Sequence, residues 1–428
     1  MEGLVSDDSS RFAITDTLTN GLKRLSASFP WIVGQVINEE TGKGHAGTLK
    51  IKPFENMPRL VVKDLTNNSM VPTMDVIKRA NFSMEMLDEN IFAPRKTIPS
   101  PDESALEPVF AVQINFISGG ILLTFVGHHS TMDMTGQGEM IRLLSKACHN
   151  ESFTSEELSI GNLCRQNLIR PFDKFGREDL ELVHHFVRAN HSDPDAVSLL
   201  LPESTWAYFT FTSSSLFALK SRAIETISHL SDYISTDDAL SALVWQSVTR
   251  ARLPRLELNA ETTLARAVDV RRHLEIPLTY PGLMQNMTHH TYTLEQLMEE
   301  SLGAVASQLR LAVDSKTSEL EYRSRALATV INNVPDKSTI SLTATIDASK
   351  DIMISSWSKV QGYELDFNFG LGKPEAVRRP RPIPFEGLVY FMPRTKDGEI
   401  VVAMCLRNED MERLRVDDEF AKYGHYIG

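Results

Sequence analysis

The sequence predicts a mixed α/β protein with predominantly mixed sheets and two domains, on three observations. Its 428 residues exceed what one hydrophobic core usually organises. Strand-like and helix-like segments alternate irregularly through both halves. A polar, proline-bearing stretch, His191-Ser-Asp-Pro-Asp-Ala196, separates the halves and has the composition of a linker. These features place one domain at 1–190, a linker at 191–199 and a second domain at 200–428.

In the first half, Leu18, Leu22, Leu25 and Phe29 recur at helical spacing, and Pro30 ends that helix before an extended segment from Trp31 to Ile37. Arg59 to Asp64 reads as a short strand, and residues 65–105, rich in turn formers and acidic groups, as a surface connection. Two apolar runs, Phe110 to Ile117 and Ile121 to Val126, are joined by Ser118-Gly119-Gly120, which predicts an antiparallel hairpin. The second run is short, apolar and closed by Gly127, which suits a strand buried on both faces. Gln137 to Cys148 places Met140, Leu143, Leu144 and Ala147 on one helical face.

The second half opens with a strand over Trp206 to Thr212 and a helix around Leu216 to Ile227. Ser235 or Thr236 caps a helix over Ala239 to Arg252; the same exposed amides and hydroxyls suit a phosphate. Ala265 to Arg272 reads as a strand, Tyr280 to Asn286 as a turn, and Leu294, Leu297, Leu302, Val305 and Leu309 as one helix. Gly387 to Met392 and Ile400 to Leu406 flank Lys396-Asp-Gly398, a hairpin signal, and Asn408 is placed to cap a last helix.

The chemistry concentrates at His128-His129-Ser-Thr-Met-Asp133. A histidine just past a strand is held by a rigid scaffold while its ring faces outward, and His129 stands four residues before a carboxylate. An imidazole that titrates near 6.5 can take a proton from an alcohol and return it to a leaving group. Adjacent histidines on extended backbone point to opposite faces, which argues against His128, His129 and Asp133 binding one metal ion. No phosphate-loop, Gly-x-Ser-x-Gly or His-Glu-x-x-His pattern occurs, and Gly370-Leu-Gly372 runs into Lys373-Pro374 rather than a dinucleotide fingerprint.

Composition narrows the partners. Forty-four Lys+Arg against 56 Asp+Glu leave a net charge of −12, unsuited to nucleic acid or an anionic membrane. There is no basic, apolar leader at Met1 and no run long enough to span a bilayer, and the three cysteines, Cys148, Cys164 and Cys405, are far apart. The expectation is a soluble, cytoplasmic protein with reduced thiols.

A second signal, Asp366-Phe-Asn-Phe-Gly-Leu-Gly-Lys-Pro-Glu375, follows near the C-terminus. Together with His-Ser-Thr-Met-Asp it resembles the two signatures of the BAHD family of acyl-CoA-dependent acyltransferases, His-x-x-x-Asp mid-chain and Asp-Phe-Gly-Trp-Gly later. Within that family the sequence is most similar to the fungal trichothecene 3-O-acetyltransferases, from about Val5 to Gly428. The similarity includes Asp88-Glu-Asn-Ile91, Met132-Asp-Met134, Ile141 to Cys148, Ser235-Thr-Asp-Asp-Ala-Leu-Ser241 and Gly372-Lys-Pro-Glu375.

The resemblance implies two similar-sized, chloramphenicol acetyltransferase-like domains with a tunnel between them, reached by acetyl-CoA from one face and a small hydroxylated terpenoid from the other. It implies no permanently bound cofactor, no metal and a monomer. His129 would be the base, and Asp133 would support it by pairing with Arg271. Ser355 and Trp357 would lie near the tetrahedral intermediate, and a core aromatic is an equally good reading of Trp357. Ser235 and Thr236 would contact the CoA phosphate, while Asp366 and Gly370 would shape a loop between the domains.

Asn368 stands where the usual motif has its first glycine; if that position needs a positive φ the backbone is strained, although asparagine tolerates this better than most residues. Relatives carry an additional N-terminal strand and loop ahead of the position of Met1, so an open sheet edge or a missing substrate wall is expected. Two other readings fit the motifs: acyl transfer from a carrier protein, as in condensation domains of peptide synthetases, and a relative that binds CoA or a terpenoid without turnover.

Overall fold

The computed structural model describes residues 7–39, 48–54, 60–98, 107–166, 168–174, 176, 183–187, 202–227, 231–334 and 336–428. The expected linker at 191–199, and Arg59 at the start of an expected strand, lie outside them.

The first half begins with helix α1 (Asp8–Ser28), capped by Asp7, whose carboxylate accepts the Ser10 amide at 2.8 Å. Ile14, Leu18, Leu22 and Leu25 form its buried stripe. After a 3₁₀ turn over Pro30–Val33, where extended chain was expected, β1 (Gln35–Glu39) pairs antiparallel with β2 (Thr48–Lys52). Proline cannot donate a ladder hydrogen bond but suits a helical first position, which explains the difference.

β3 (Leu60–Asp64) leads into two short helices, α2 (Met74–Arg79) and α3 (Glu89–Phe92), inside the expected surface connection. β3 pairs parallel with β4 (Phe110–Ile117), which forms the expected antiparallel hairpin with β5 (Gly120–Gly127) through Gly119 at φ +84°. The burial expected of Ile121 to Val126 belongs to its partner. β4 is buried throughout, whereas β5 is the outer strand of this three-stranded sheet and is half-buried along its length. An apolar run does not reveal whether its second edge is paired. Helices α4 (Met134–Cys148) and α5 (Ser155–Gly161) follow, and α4 packs with α1 over this sheet.

The second half is built on a seven-stranded mixed sheet, in the order β12-β6-β11-β10-β9-β7-β8. In chain order its strands and helices are β6 (Ser204–Phe211), α6 (Ser213–Glu225), α7 (Thr236–Arg252), β7 (Glu261–Asp269), β8 (Gln285–Thr293), α8 (Leu294–Glu299), α9 (Leu302–Leu311), α10 (Leu320–Asn333), β9 (Ile352–Ser356), β10 (Leu388–Phe391), β11 (Ile400–Arg407), α11 (Asn408–Arg415), α12 (Asp418–Ala421) and β12 (His425–Tyr426). β9 runs parallel to both β7 and β10; the other pairings are antiparallel.

Three expectations are corrected. The helix expected across Leu294 to Leu309 is two, because the first ends at Glu300 and Ser301 caps the next by accepting the Ala304 amide. The residues after the Tyr280 turn form β8, whose Gln, Asn and His content masks its strand character. Asn408 is the first residue of α11, not its cap; its amide donates to Glu203 instead.

One face of the large sheet carries α6 to α9, α11 and α12 over the largest core cluster, in which Phe420 meets Phe209 and Phe211 edge-on at 5.1 and 5.6 Å. Gly303 fits α9 against α6 so closely that a Cβ would stand 2.1 Å from the Ala223 carbonyl oxygen. The opposite face carries Ala265, Met287 and Met353, covered by Val183, Phe186 and α10. Gly303→Ala should destabilise the protein by about 1–3 kcal/mol, because backbone cannot rotate out of the clash; thermal unfolding reads the effect.

His185 and His289 stack at 4.0 Å on this second face. Burial, aided by neighbouring positive groups, holds His289 down to about 3, and His185 and His290 to about 4. Because the unfolded rings take protons near 6.5 and the folded rings resist, the stability these groups allow above that pH is lost as the pH falls toward 4. Each ring steepens the loss by up to roughly 1.4 kcal/mol per pH unit. Denaturant titrations from pH 7 to 4 should therefore show a falling stability whose slope flattens in His289→Gln.

Candidate active site

Strand β5 ends at Gly127, and the chain turns at His128. The His128 amide donates to Val109 O at 2.9 Å, and its carbonyl accepts from the Thr131 amide and hydroxyl and from the Met132 amide. Gly127 permits this return, since a Cβ there would meet Met132 Sδ at 2.6 Å. The two histidines face opposite ways. His128 is buried; its Nδ1 accepts the Ser130 amide at 3.2 Å, so its Nε2 carries the proton donated to Glu107. Burial lowers its pKa, with Glu107 acting against the shift. His129 is exposed, and no hydrogen bond or ion pair engages its ring among the described residues. His128 is thus a brace, and His129 is the imidazole free for chemistry.

Asp133 caps α4 and joins the halves. Its Oδ1 accepts the Gly136 amide at 2.8 Å and Arg271 Nη2 at 2.9 Å; its Oδ2 accepts the Met284 amide at 2.7 Å. Arg271, fully buried, also donates to Tyr280 O, Gly282 O and Asp269. The pairing of Asp133 with Arg271 is therefore present, and the pair is saturated with partners. Burial works against the Arg271 charge, yet the adjacent Asp133 and Asp269 carboxylates raise its pKa overall. Gly136 seals the contact, as a Cβ there would lie 2.1 Å from Pro281 O.

Ser355 and Trp357 are brought together at the end of β9, with Trp357 Nε1 donating to Ser355 Oγ at 3.1 Å. Trp357 is half-buried against Tyr390, with ring centroids 4.9 Å apart. Arg266 on β7 pairs with Ile354 on β9, one residue before Ser355. Arg271 follows Arg266 by five residues, at most roughly 17 Å of extended chain. The Asp133 clamp and Ser355 thus sit on the same end of neighbouring strands. No hydrogen bond joins Ser355 or Trp357 to His129 among the described residues.

Ser235 is the cap of α7, in a reciprocal box with Asp238. Asp238 is buried between Arg266 and Arg310, and Asp237 binds Arg266 at 2.7 Å and Ser356 Oγ at 2.5 Å. Despite burial, these arginines hold the Asp238 carboxyl below its usual range. The Thr236 hydroxyl has no hydrogen bond among the described residues.

Asp366 and Gly370 lie on a loop docked against the C-terminal end of α4. Asp366 O accepts Ser145 Oγ at 2.5 Å, and Asp366 Oδ1 accepts the Asn368 amide at 2.8 Å. Asn368 adopts φ +60°, so the position does need a positive φ, and its side-chain amide donates to Cys148 O at 3.2 Å. Gly370 is at φ +73°. Phe367 stacks on Phe125 of β5 at 5.5 Å.

Several residues of this site carried no separate sequence signal. Glu107 is a single carboxylate in an irregular segment, and the Met284 amide is backbone. Gly136 had a signal, a glycine in the first turn of a helix.

The Trichothecene 3-O-acetyltransferase-like N-terminal domain model matches residues 4–148, and the Transferase family model matches residues 85–421. A trichothecene 3-O-acetyltransferase of Fusarium sporotrichioides is 49% identical, covering 99% of this chain and 92% of that protein. The O-acetyltransferase dmxR13 of a Cryptosporiopsis species is 51% identical, with 99% and 93% covered.

The crystal structure of the F. sporotrichioides enzyme complexed with coenzyme A and T-2 superposes with a TM-score of 0.92 at 48% identity, covering 99% of this chain and 94% of that one. The F. graminearum enzyme complexed with coenzyme A and deoxynivalenol gives 0.93 at 45%, with the same coverage. Vinorine synthase, at 14% identity and a TM-score of 0.65 over 98% of this chain and 87% of that one, shares the fold. The chain belongs to the transferase family, as a BAHD-type acyltransferase of the trichothecene 3-O-acetyltransferase-like kind. Its two-domain architecture of mixed sheets and helices is the one these structures share. Among the described residues, no helix is long and apolar enough to cross a membrane.

Asp133→Ala leaves Arg271 buried beside a lost carboxylate and removes the α4 cap. It should cost about 3–5 kcal/mol of stability in a urea titration.

Proposed function

We propose that this protein is an O-acetyltransferase that moves acetyl from acetyl-CoA to the C3 hydroxyl of a trichothecene sesquiterpenoid, with His129 as general base. The observation that carries the reading is the exposed, uncommitted ring of His129, one turn before the saturated Asp133–Arg271 clamp. The relatives crystallised with coenzyme A and T-2 or deoxynivalenol support the substrate pair. Taking the domains as 1–190 and 200–428, the site lies between them, in a monomer acting in the cytoplasm. Biosynthetic or self-protective acetylation is its purpose.

In the reaction, His129 removes the proton from the acceptor hydroxyl as that oxygen attacks the acetyl carbonyl. The tetrahedral intermediate then expels the CoA thiolate, which takes the proton back from His129. Asp133 positions and does not relay, because both its oxygens already accept hydrogen bonds from fixed donors. Ser355 accepts from the Trp357 indole, which leaves its own proton to donate to the oxyanion, a contribution of about 3 kcal/mol. Ser235 and Thr236 face the CoA phosphate at the positive end of α7, where Arg310 offsets the Asp238 charge.

Mass spectrometry of incubations with acetyl-CoA and a panel of 3-hydroxy trichothecenes tests the assignment. Acetylated product should form with the unaltered protein and fall by roughly 10²–10⁴-fold in His129→Ala. The variant should keep its circular dichroism, since no hydrogen bond or ion pair engages the ring among the described residues. Near-normal turnover in His129→Ala would overturn the role of this residue, and product from no panel member would overturn the substrate.

A further inference from the structure

The His129 ring is engaged by no hydrogen bond or ion pair among the described residues, so it points where the backbone on either side puts it. Both peptide units that flank its Cα are held by one neighbour, His128. In the first unit, His128 O accepts the Thr131 amide at 2.8 Å, the Met132 amide at 3.2 Å and the Thr131 hydroxyl at 2.7 Å. In the second, the Ser130 amide donates to Nδ1 of the His128 ring at 3.2 Å, its one hydrogen bond among the described residues. A side chain thus closes a loop around the backbone of the next residue.

That closure depends on where the His128 proton sits. An imidazole nitrogen accepts a hydrogen bond only while it is bare. The proton is on Nε2, which donates to the Glu107 carboxylate, and Glu107 is itself tied to β1 through its carbonyl, which accepts the Val36 amide at 2.7 Å. Glu107 therefore fixes the tautomer that leaves Nδ1 free for Ser130. In a doubly protonated ring both nitrogens donate, and the Nδ1 proton would oppose the Ser130 N–H. The ring is buried and cannot swing into water, so the Ser130 bond is what gives way.

The groups acting on the ring set when this happens. Burial is the largest influence and lowers the His128 pKa; the Glu107 carboxylate raises it, and the Arg95 and His129 charges lower it. The ring is neutral at pH 7 and takes its second proton below the ordinary imidazole range.

We propose that neutral His128 is a positioning residue for the reaction: by accepting the Ser130 amide it fixes the backbone that aims His129, and a proton at Nδ1 releases that aim. The proposal rests on the reading of the protein as an O-acetyltransferase with His129 as base. Activity is then lost in acid through two protons, one on the base and one on a ring that touches no substrate.

Kinetics with acetyl-CoA and a 3-hydroxy trichothecene near neutral pH compare His128→Asn with His128→Leu. The asparagine Oδ1 is as many bonds from Cβ as Nδ1 and accepts at every pH, whereas leucine accepts nothing. His128→Asn should keep kcat within about threefold of the unaltered protein. His128→Leu should lose about ten- to a hundredfold in kcat, with the KM of acetyl-CoA unmoved. Over the pH range in which circular dichroism is constant, the acid limb of log(kcat/KM) should steepen from a slope of about one toward two in the unaltered protein and stay near one in His128→Asn. Glu107→Gln removes the charge that favours the second proton and should move the steepening down by about one pH unit. This variant carries the question if His128→Leu does not fold.

Nuclear magnetic resonance of protein with isotope-labelled histidine and serine reads the same device without turnover. His128 should show the Nε2–H tautomer, and the Ser130 amide should shift with the midpoint of that ring's titration. Equal kcat in the two His128 variants overturns the proposal, as does a Ser130 amide that ignores the state of the ring. A slope of one that persists through the ring's titration also overturns it. If the Ser130 amide follows the ring while no acceptor yields acetylated product, the O-acetyltransferase reading falls and the coupling of His128 to the loop stands.

Discussion

A buried carboxylate and a buried guanidinium hold the two halves of this protein at one point. Removing both charges from water costs several kcal/mol per ion, and their attraction repays it only when the remaining donors and acceptors are satisfied. That condition is met: Asp133 accepts from Gly136 and Met284 besides Arg271, while Arg271 donates to Tyr280, Gly282 and Asp269. One ion pair thereby sets the start of α4, the end of β7 and the turn before β8. The loop that presents His129 inherits its position from all three.

A second tie lies at the other end of α4, where the loop carrying Asp366 docks. The first half supplies Ser145, Cys148 and Phe125, and the loop answers with Asp366 O, the Asn368 amide and the Phe367 ring. Asn368 is informative because it bears a conformation that glycine adopts without cost, and it offsets the strain by capping a helix carbonyl. α4 is thus clamped at both ends by the opposite half. The ring of His129, outside these clamps, stays exposed.

Much of this was legible in the residues. Periodicity located α1, α4 and α7, and glycine-centred turns located both hairpins, because these signals are local. The His129–Asp133 spacing and the Asp366 loop were legible as motifs, and one departure in the second, Asn368, raised the question of a positive φ without answering it. What escaped depends on tertiary context. Nothing in the apolar run of β5 says that no strand pairs its far edge among the described residues. The polar composition of β8 hides a strand whose covering residues, Val183 and Phe186, are distant in the chain. The pairing of Glu107 with His128 joins two unremarkable residues that only the fold brings together.

The parallel placement of β9 between β7 and β10 bears on how the molecule assembles. β6 pairs only with strands from the far end of the chain, and β9 enters between strands from residues 261–269 and 388–391. Such non-local parallel pairing has a high closure entropy and forms slowly. Ser355 rides on that strand, so a chain that has already built its helices still lacks this part of its site until the sheet closes.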